Sequence, residues 1–297
     1  MTKPTELNIL RSSTTLDIDP SFFSIAESIT FPRTYGPNRD GESYAFFFPP
    51  KNPNYVAPEG TLPPVYVSAH GGPTSHDSPG LAVACQYWTT RGFAFVAVNY
   101  AGSSGYGRSY RQLLDGQWGV LDNADAASCA DYLSREGRVD GSRIGIDGGS
   151  AGGYVVLAAI CNYPTVWAAA VSKYGISDVS ALMEDTHKFE SHYGLRLAFG
   201  DHIPADPEER QKVYRKISPR YYADRIKASL LLLHGTEDRV VPLNQAQTML
   251  ETVEKTGGKV KMVVYDGEGH GFRLGTTVKD SYEQELAWFR ENLVRDA

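Results

Sequence analysis

Leu230-Leu231-Leu232-Leu233 is apolar at four consecutive positions and runs straight into His234-Gly235. A strand with no polar face must be covered on both sides, and such strands belong to parallel sheets enclosed by helices. Six further β-rich runs punctuate the chain. Strands are therefore expected over residues 44–48, 65–68, 93–99, 143–147, 168–172, 230–234 and 261–265. Between several of them the apolar period lengthens to three or four. Leu243, Ala246, Leu250 and Val253 mark one helix, stopped by Gly257-Gly258, and Val278, Tyr282, Leu286, Phe289 and Leu293 mark a long terminal one. Residues 81–90 and 122–136 give two more, ended by Gly92 and Gly137. Alternating strands and helices specify the α/β class, with a mainly parallel central sheet flanked by helices.

Residues 177–227 break that rhythm. They hold no clear strand but many aromatic and charged side chains, including Asp185-Thr186-His187-Lys188-Phe189-Glu190, Tyr214, Tyr221 and Tyr222. An insertion of this length reads as a cap, placed over the carboxyl edge of the sheet where open α/β folds carry their sites.

Composition narrows the partners. Of 297 residues, 41% are hydrophobic, which excludes a disordered chain, and 29 Lys and Arg against 35 Asp and Glu give a net charge of −6. With no basic run, nucleic acid is not an expected partner. Cys85, Cys129 and Cys161 cannot all pair and form no CxxC, which points to reduced thiols in a cytoplasmic protein. The sequence has no apolar run long enough for a signal peptide or a membrane span, so no membrane partner is expected. His187 and His192 are five apart with no further ligand nearby; no metal and no cofactor are implied.

The chemistry concentrates at Gly148-Gly149-Ser150-Ala151-Gly152. A Gly-x-Ser-x-Gly pattern is weak in a chain with 29 glycines, but here a strand comes directly before it and an apolar helix directly after. That is the setting of a nucleophile elbow, in which a sharp turn flanked by glycines leaves Ser150 exposed at a helix N-terminus. A nucleophilic serine needs a base, and the base an acid to hold its tautomer. His270 lies between glycines in Gly267-Glu268-Gly269-His270-Gly271-Phe272, just past the last strand. Asp238 follows the Leu230–Leu233 run, so the order is Ser150, Asp238, His270; Glu237 and Asp178 also follow strands and stay open as the acid. His234, at a strand end, reads as structural. His70-Gly71-Gly72-Pro73 is a loop of the kind that lends a backbone N–H to a developing oxyanion, and the N–H of Ala151 would be the second donor.

With these motifs in place, the chain resembles the catalytic domain of the prolyl oligopeptidase family of serine peptidases, in its acylaminoacyl-peptidase and dipeptidyl-aminopeptidase-like branch. Asn99-Tyr100-Ala101-Gly102-Ser103-Ser104-Gly105-Tyr106-Gly107, Trp118-Gly119 with Asp122 and Asp125, and His234-Gly235-Thr236-Glu237-Asp238-Arg239-Val240-Val241-Pro242 carry the likeness alongside the segments above, from about Glu27 to the C-terminus. The resemblance implies an α/β-hydrolase fold. It makes Ser150 the nucleophile, Asp238 the acid and His270 the base, and it makes Gly72 and Ala151 the oxyanion donors. It also places Val171, Tyr174 and Val240 at the primary specificity pocket. Ala101 stands where arginine is common, which implies a looser contact near that pocket. Members of this branch carry an N-terminal β-propeller. Here residues 1–26 are expected to be an extension resembling the tail of that domain, residues 27–297 the catalytic domain, and exopeptidase specificity is not carried over. The surface where a propeller would dock is open to self-association as a homo-oligomer. The expected activity is cleavage of a peptide, amide or ester acyl bond in a short peptide or small molecule through a Ser150 acyl-enzyme. The alternatives are an ester, lactone or amide hydrolase, or a lyase or cyclase, acting on natural products.

Overall fold

A computed structural model describes residues 10–11, 14–15, 17–185 and 191–294. Its eight strands form one sheet: β1 (Glu27–Pro32), β2 (Glu42–Phe48), β3 (Val65–Ala69), β4 (Ala94–Asn99), β5 (Ile144–Gly149), β6 (Ala169–Lys173), β7 (Ser229–Gly235) and β8 (Val260–Tyr265), in the spatial order β1-β2-β4-β3-β5-β6-β7-β8. β1 and β2 pair antiparallel, as do β2 and β4, while every other neighbouring pair is parallel. All seven expected strands are present within a residue or two of their bounds.

β1 is the strand the sequence reading missed. Only Ile29 and Phe31 point inward, between exposed neighbours, and Pro32 ends the run. Two apolar positions beside a proline are too faint an alternation to stand out. Its place is set from outside, by pairing with β2 and by Arg33, whose guanidinium lies 2.7 Å from the buried Asp125 carboxylate. Among the described residues before β1 there is one short turn of 3₁₀ helix (Pro20–Phe22), and Ser24 ties the chain after it to Gln86 and to the carbonyl of Pro49.

The helices are α1 (Val83–Thr89), α2 (Gly107–Gln112), α3 (Leu121–Arg135), α4 (Ala151–Asn162), α5 (Val179–Asp185), α6 (Ser191–Phe199), α7 (Pro207–Ile217), α8 (Asn244–Lys255) and α9 (Gly275–Leu293). Apolar residues of α3, α4 and α8 cover one face of the sheet, and those of α1 and α9 cover the other. Buried on both faces, β7 has the continuous apolar pattern that its sequence announced.

Within residues 177–227 the described chain is helical, comprising α5, α6, α7 and a 3₁₀ segment at Pro219–Arg225. Val179, Leu197, Ala198 and Tyr214 pack with Leu114, Trp118, Tyr154 and Val241 at the carboxyl end of the sheet. Gly116 N–H donates to the Arg196 carbonyl, and Tyr193 OH lies 2.9 Å from Thr74 Oγ1, so the insertion is anchored to the loops around the site. No helix among the described residues is long and apolar enough to cross a membrane.

Candidate active site

Parallel registry brings the functional loops together. Ala69 is opposite Gly148, so the His70-Gly71-Gly72 loop leaves β3 beside the turn that leaves β5. Gly235 is opposite Tyr265, so the loops carrying Asp238 and His270 also leave side by side.

Ser150 joins β5 to α4 with φ 59° and ψ −123°. The serine itself, not its glycine neighbours, bears the left-handed backbone. The glycines serve close approach instead. A Cβ on Gly152 would lie 2.1 Å from the Ala69 carbonyl oxygen, and one on Gly148 would lie 2.4 Å from the Gly152 backbone. Ser150 N–H donates to the Lys173 carbonyl at 3.0 Å.

His270 Nε2 is 2.8 Å from Ser150 Oγ, and His270 Nδ1 is 2.8 Å from Asp238 Oδ2. An ionised carboxylate can only accept, so Nδ1 carries the proton and Nε2 turns its lone pair to the serine hydroxyl. Asp238 is buried, and its other oxygen accepts the N–H groups of Val240 and Val241, each at 2.9 Å. Burial alone would raise its carboxyl pKa. The hydrogen bonds from His270 and from the two amides outweigh that, and the pKa lies below the ordinary aspartate value.

The competing residues are placed elsewhere. Glu237 is exposed on the turn before Asp238. Asp178 accepts the amides of Ser180 and Ala181 at the start of α5 and pairs with Arg220 at 2.7 Å. His234 is wholly buried, donating from Nε2 to the Val241 carbonyl, and burial holds its pKa below the ordinary histidine value.

Ala151 opens α4, so its N–H has no carbonyl one turn earlier in the helix to meet. The glycine loop approaches Ser150 through Gly71, where a Cβ would come 3.7 Å from Ser150 Cβ; Gly72, the expected donor, is the next residue along. His70 props this loop. Its ring stacks on Tyr100 at 4.2 Å, Nδ1 donates to the Gly71 carbonyl, and burial pushes its pKa down to about 4.

A cleft of about 550 Å³ opens beside Ser150 and His270, lined also by Gly71, Asp77, Asp147, Lys173 and Tyr174. Of the three expected pocket residues only Tyr174 lines it, its ring 5.0 Å from that of His270. Val171 is fully buried among Leu231, Leu233 and Trp288, because its position on β6 turns it into the core under α9. Val240 stands 50% exposed on the turn after Asp238 and does not line this cleft. Ala101 is likewise buried, its N–H held by Asp125 at 2.7 Å, and it does not line the cleft. Asp147, Lys173 and Asp77 were not anticipated. The only signal for the first two was a charged residue ending an otherwise apolar strand. Among the described residues no group of His, Cys, Asp and Glu could hold a metal ion; His187 lies outside them.

Residues 80–295 match the model of the Prolyl oligopeptidase family. The chain belongs to this family. It is 26% identical over 251 residues to dipeptidyl aminopeptidase BIII of Pseudoxanthomonas mexicana, covering 84% of this chain and 34% of that protein. Among solved structures it superposes on a puromycin-hydrolyzing peptidase of Mycobacterium tuberculosis with a TM-score of 0.88 at 39% identity, covering 96% of this chain and 42% of the other. An acylaminoacyl peptidase of Pyrococcus horikoshii gives a TM-score of 0.79 at 25% identity, over 93% of this chain and 43% of that one. The fold is that of the α/β hydrolases, and the chain spans less than half the length of each of these peptidases.

Proposed function

We propose that this chain is a serine hydrolase that cleaves a peptide, amide or ester acyl bond through an acyl-enzyme on Ser150. The observation that carries the reading is the continuous line of hydrogen bonds from Ser150 Oγ through the His270 ring to Asp238, each 2.8 Å long. As Oγ attacks the substrate carbonyl carbon, His270 Nε2 takes the hydroxyl proton. The oxygen that becomes negative is met by the N–H groups of Ala151 and Gly72. Collapse of the tetrahedral intermediate breaks the scissile bond, and His270 returns the proton to the departing amine or alcohol. Water then repeats the sequence on the ester. Asp238, ionised throughout, holds the imidazole in its tautomer and steadies the imidazolium.

The relatives support a short-peptide or peptide-like substrate, and residues 27–297, which begin at β1, form the catalytic unit of this reading. It places the protein in the cytoplasm, where the buried free thiols of Cys85, Cys129 and Cys161 stay reduced. Turnover of aminoacyl p-nitroanilides, short peptides and p-nitrophenyl esters by wild type and Ser150→Ala tests the proposal. Hydrolysis of the peptide-like set that disappears in the variant is expected. Equal turnover by the two proteins for every substrate would overturn it.

A further inference from the structure

Below the nucleophile turn, on the face of the sheet that α9 covers, lies a charged cluster to which the reaction above gives no role. Lys173 Nζ is 2.7 Å from Asp147 Oδ2 and 3.2 Å from Glu285 Oε1. Glu285 also accepts from Tyr66 OH at 3.1 Å. The Asp147 and Glu285 side chains are 5% and 2% exposed, and that of Lys173 is 19% exposed. Stability does not account for such a group, because well-packed apolar residues of similar volume generally match or exceed a buried ion pair. Its location is more telling. Asp147 precedes Ser150 by three residues, on β5, the strand that leads into the turn. The carbonyl of Lys173 receives the Ser150 N–H at 3.0 Å. The next residue, Tyr174, has a left-handed φ of 40° and sets its ring against both His270 and Phe272. Residues 173 and 174 therefore touch both members of the pair between which the proton moves.

We propose that Lys173 is a positioning residue, whose ammonium, pinned between Asp147 and Glu285, fixes the end of β6 so that the Ser150 turn and the His270 ring stay at reacting distance. The inference rests on the serine-hydrolase reading above. Misplacement by about 1 Å is enough to cost roughly 100-fold in rate. Burial works against the Lys173 charge, but the two carboxylates outweigh it and its pKa is raised. Glu285 is the adjustable member of the cluster. Burial drives its carboxyl up to about 7, against the pull of Lys173 and with the help of Asp147. Tyr66 from β3, Tyr174 after β6, Tyr265 from β8 and Tyr282 on its own helix also face it. As pH falls through that value Glu285 takes up a proton, Lys173 keeps only Asp147 as an ionic partner, and the reacting pair loosens.

The rate of Ser150 labelling by a fluorophosphonate, followed from acid to alkaline pH, tests this on wild type, Lys173→Met and Glu285→Gln, with Ser150→Ala as the blank. Lys173→Met should label about 10- to 100-fold more slowly at alkaline pH, with kcat on an ester falling in proportion and KM unchanged. The acid limb of wild type should be steeper than a single protonation allows, and that of Glu285→Gln should be single. If Lys173→Met is not recovered folded, Glu285→Gln, neutral and of the same shape, decides alone. Either variant matching wild type in rate and pH profile overturns the inference while leaving the hydrolase reading intact. Ser150→Ala labelling as fast as wild type would sink the hydrolase reading instead.

Discussion

A serine at φ 59° costs of order 1–3 kcal/mol in backbone strain, which persists only where the surroundings impose it. Here they do: Lys173 holds its amide, the Ala69 carbonyl crowds Gly152, and α4 begins on the next residue. The hydroxyl is thereby held 2.8 Å from the His270 nitrogen that, in the proposed reaction, receives its proton. In the same proposed reaction Asp238 orients the imidazole through Nδ1, so Asp238→Asn should lower kcat by roughly 10³–10⁴-fold, since an amide cannot enforce the productive tautomer. Glu237→Gln and Asp178→Asn should stay within about twofold of wild type, as neither side chain meets the imidazole. Steady-state kinetics on one substrate would check all three, and the reverse ranking would transfer the acid role. Ser150, Asp238 and His270 were readable because each sits in a turn directly after a strand, with glycines or a helix start marking the geometry. Lys173 and Glu285 were not, since a single charged residue in an apolar stretch does not reveal which distant side chain will neutralise it.

Among the elements, β5, β6 and β7 were legible because strands buried on both faces have no polar positions to blur them. β1 was not, because its stability comes from partners rather than from its own pattern. The Arg33–Asp125 pair just after it ties this edge of the sheet to α3, and Asp125 also holds the Ala101 amide and the Ser43 hydroxyl. Asp125→Asn leaves a buried guanidinium without its counter-charge and should destabilise the protein by about 3–5 kcal/mol in a denaturant titration. Arg33→Met combined with Asp125→Asn removes both charges and should recover part of that loss. A double variant destabilised by the sum of the two singles would contradict the coupling. Val171 lies away from the cleft for a related reason: alternation along β6 sends it to the α9 side of the sheet, and motif position alone does not say which face a strand residue takes.

At the scale of the molecule, one topological fact organises the site. β3, β5, β6, β7 and β8 are adjacent and parallel, so their carboxyl ends share one rim, and residues 120 and 32 positions apart in sequence meet there. The strand–helix alternation announced that rim. It also located the insertion over it, though not the helices α5 to α7 that the insertion contains, whose apolar stripes are short and interrupted by charge. The account turns on covalent chemistry at Ser150. Intact-mass spectrometry of wild type treated with a fluorophosphonate, followed by peptide mapping, measures it directly. A single phosphonyl adduct on the Ser150 peptide, absent from Ser150→Ala and strongly slowed in His270→Ala, is the predicted result; an unmodified Ser150 peptide, or equal modification of Ser150→Ala at another residue, would contradict it.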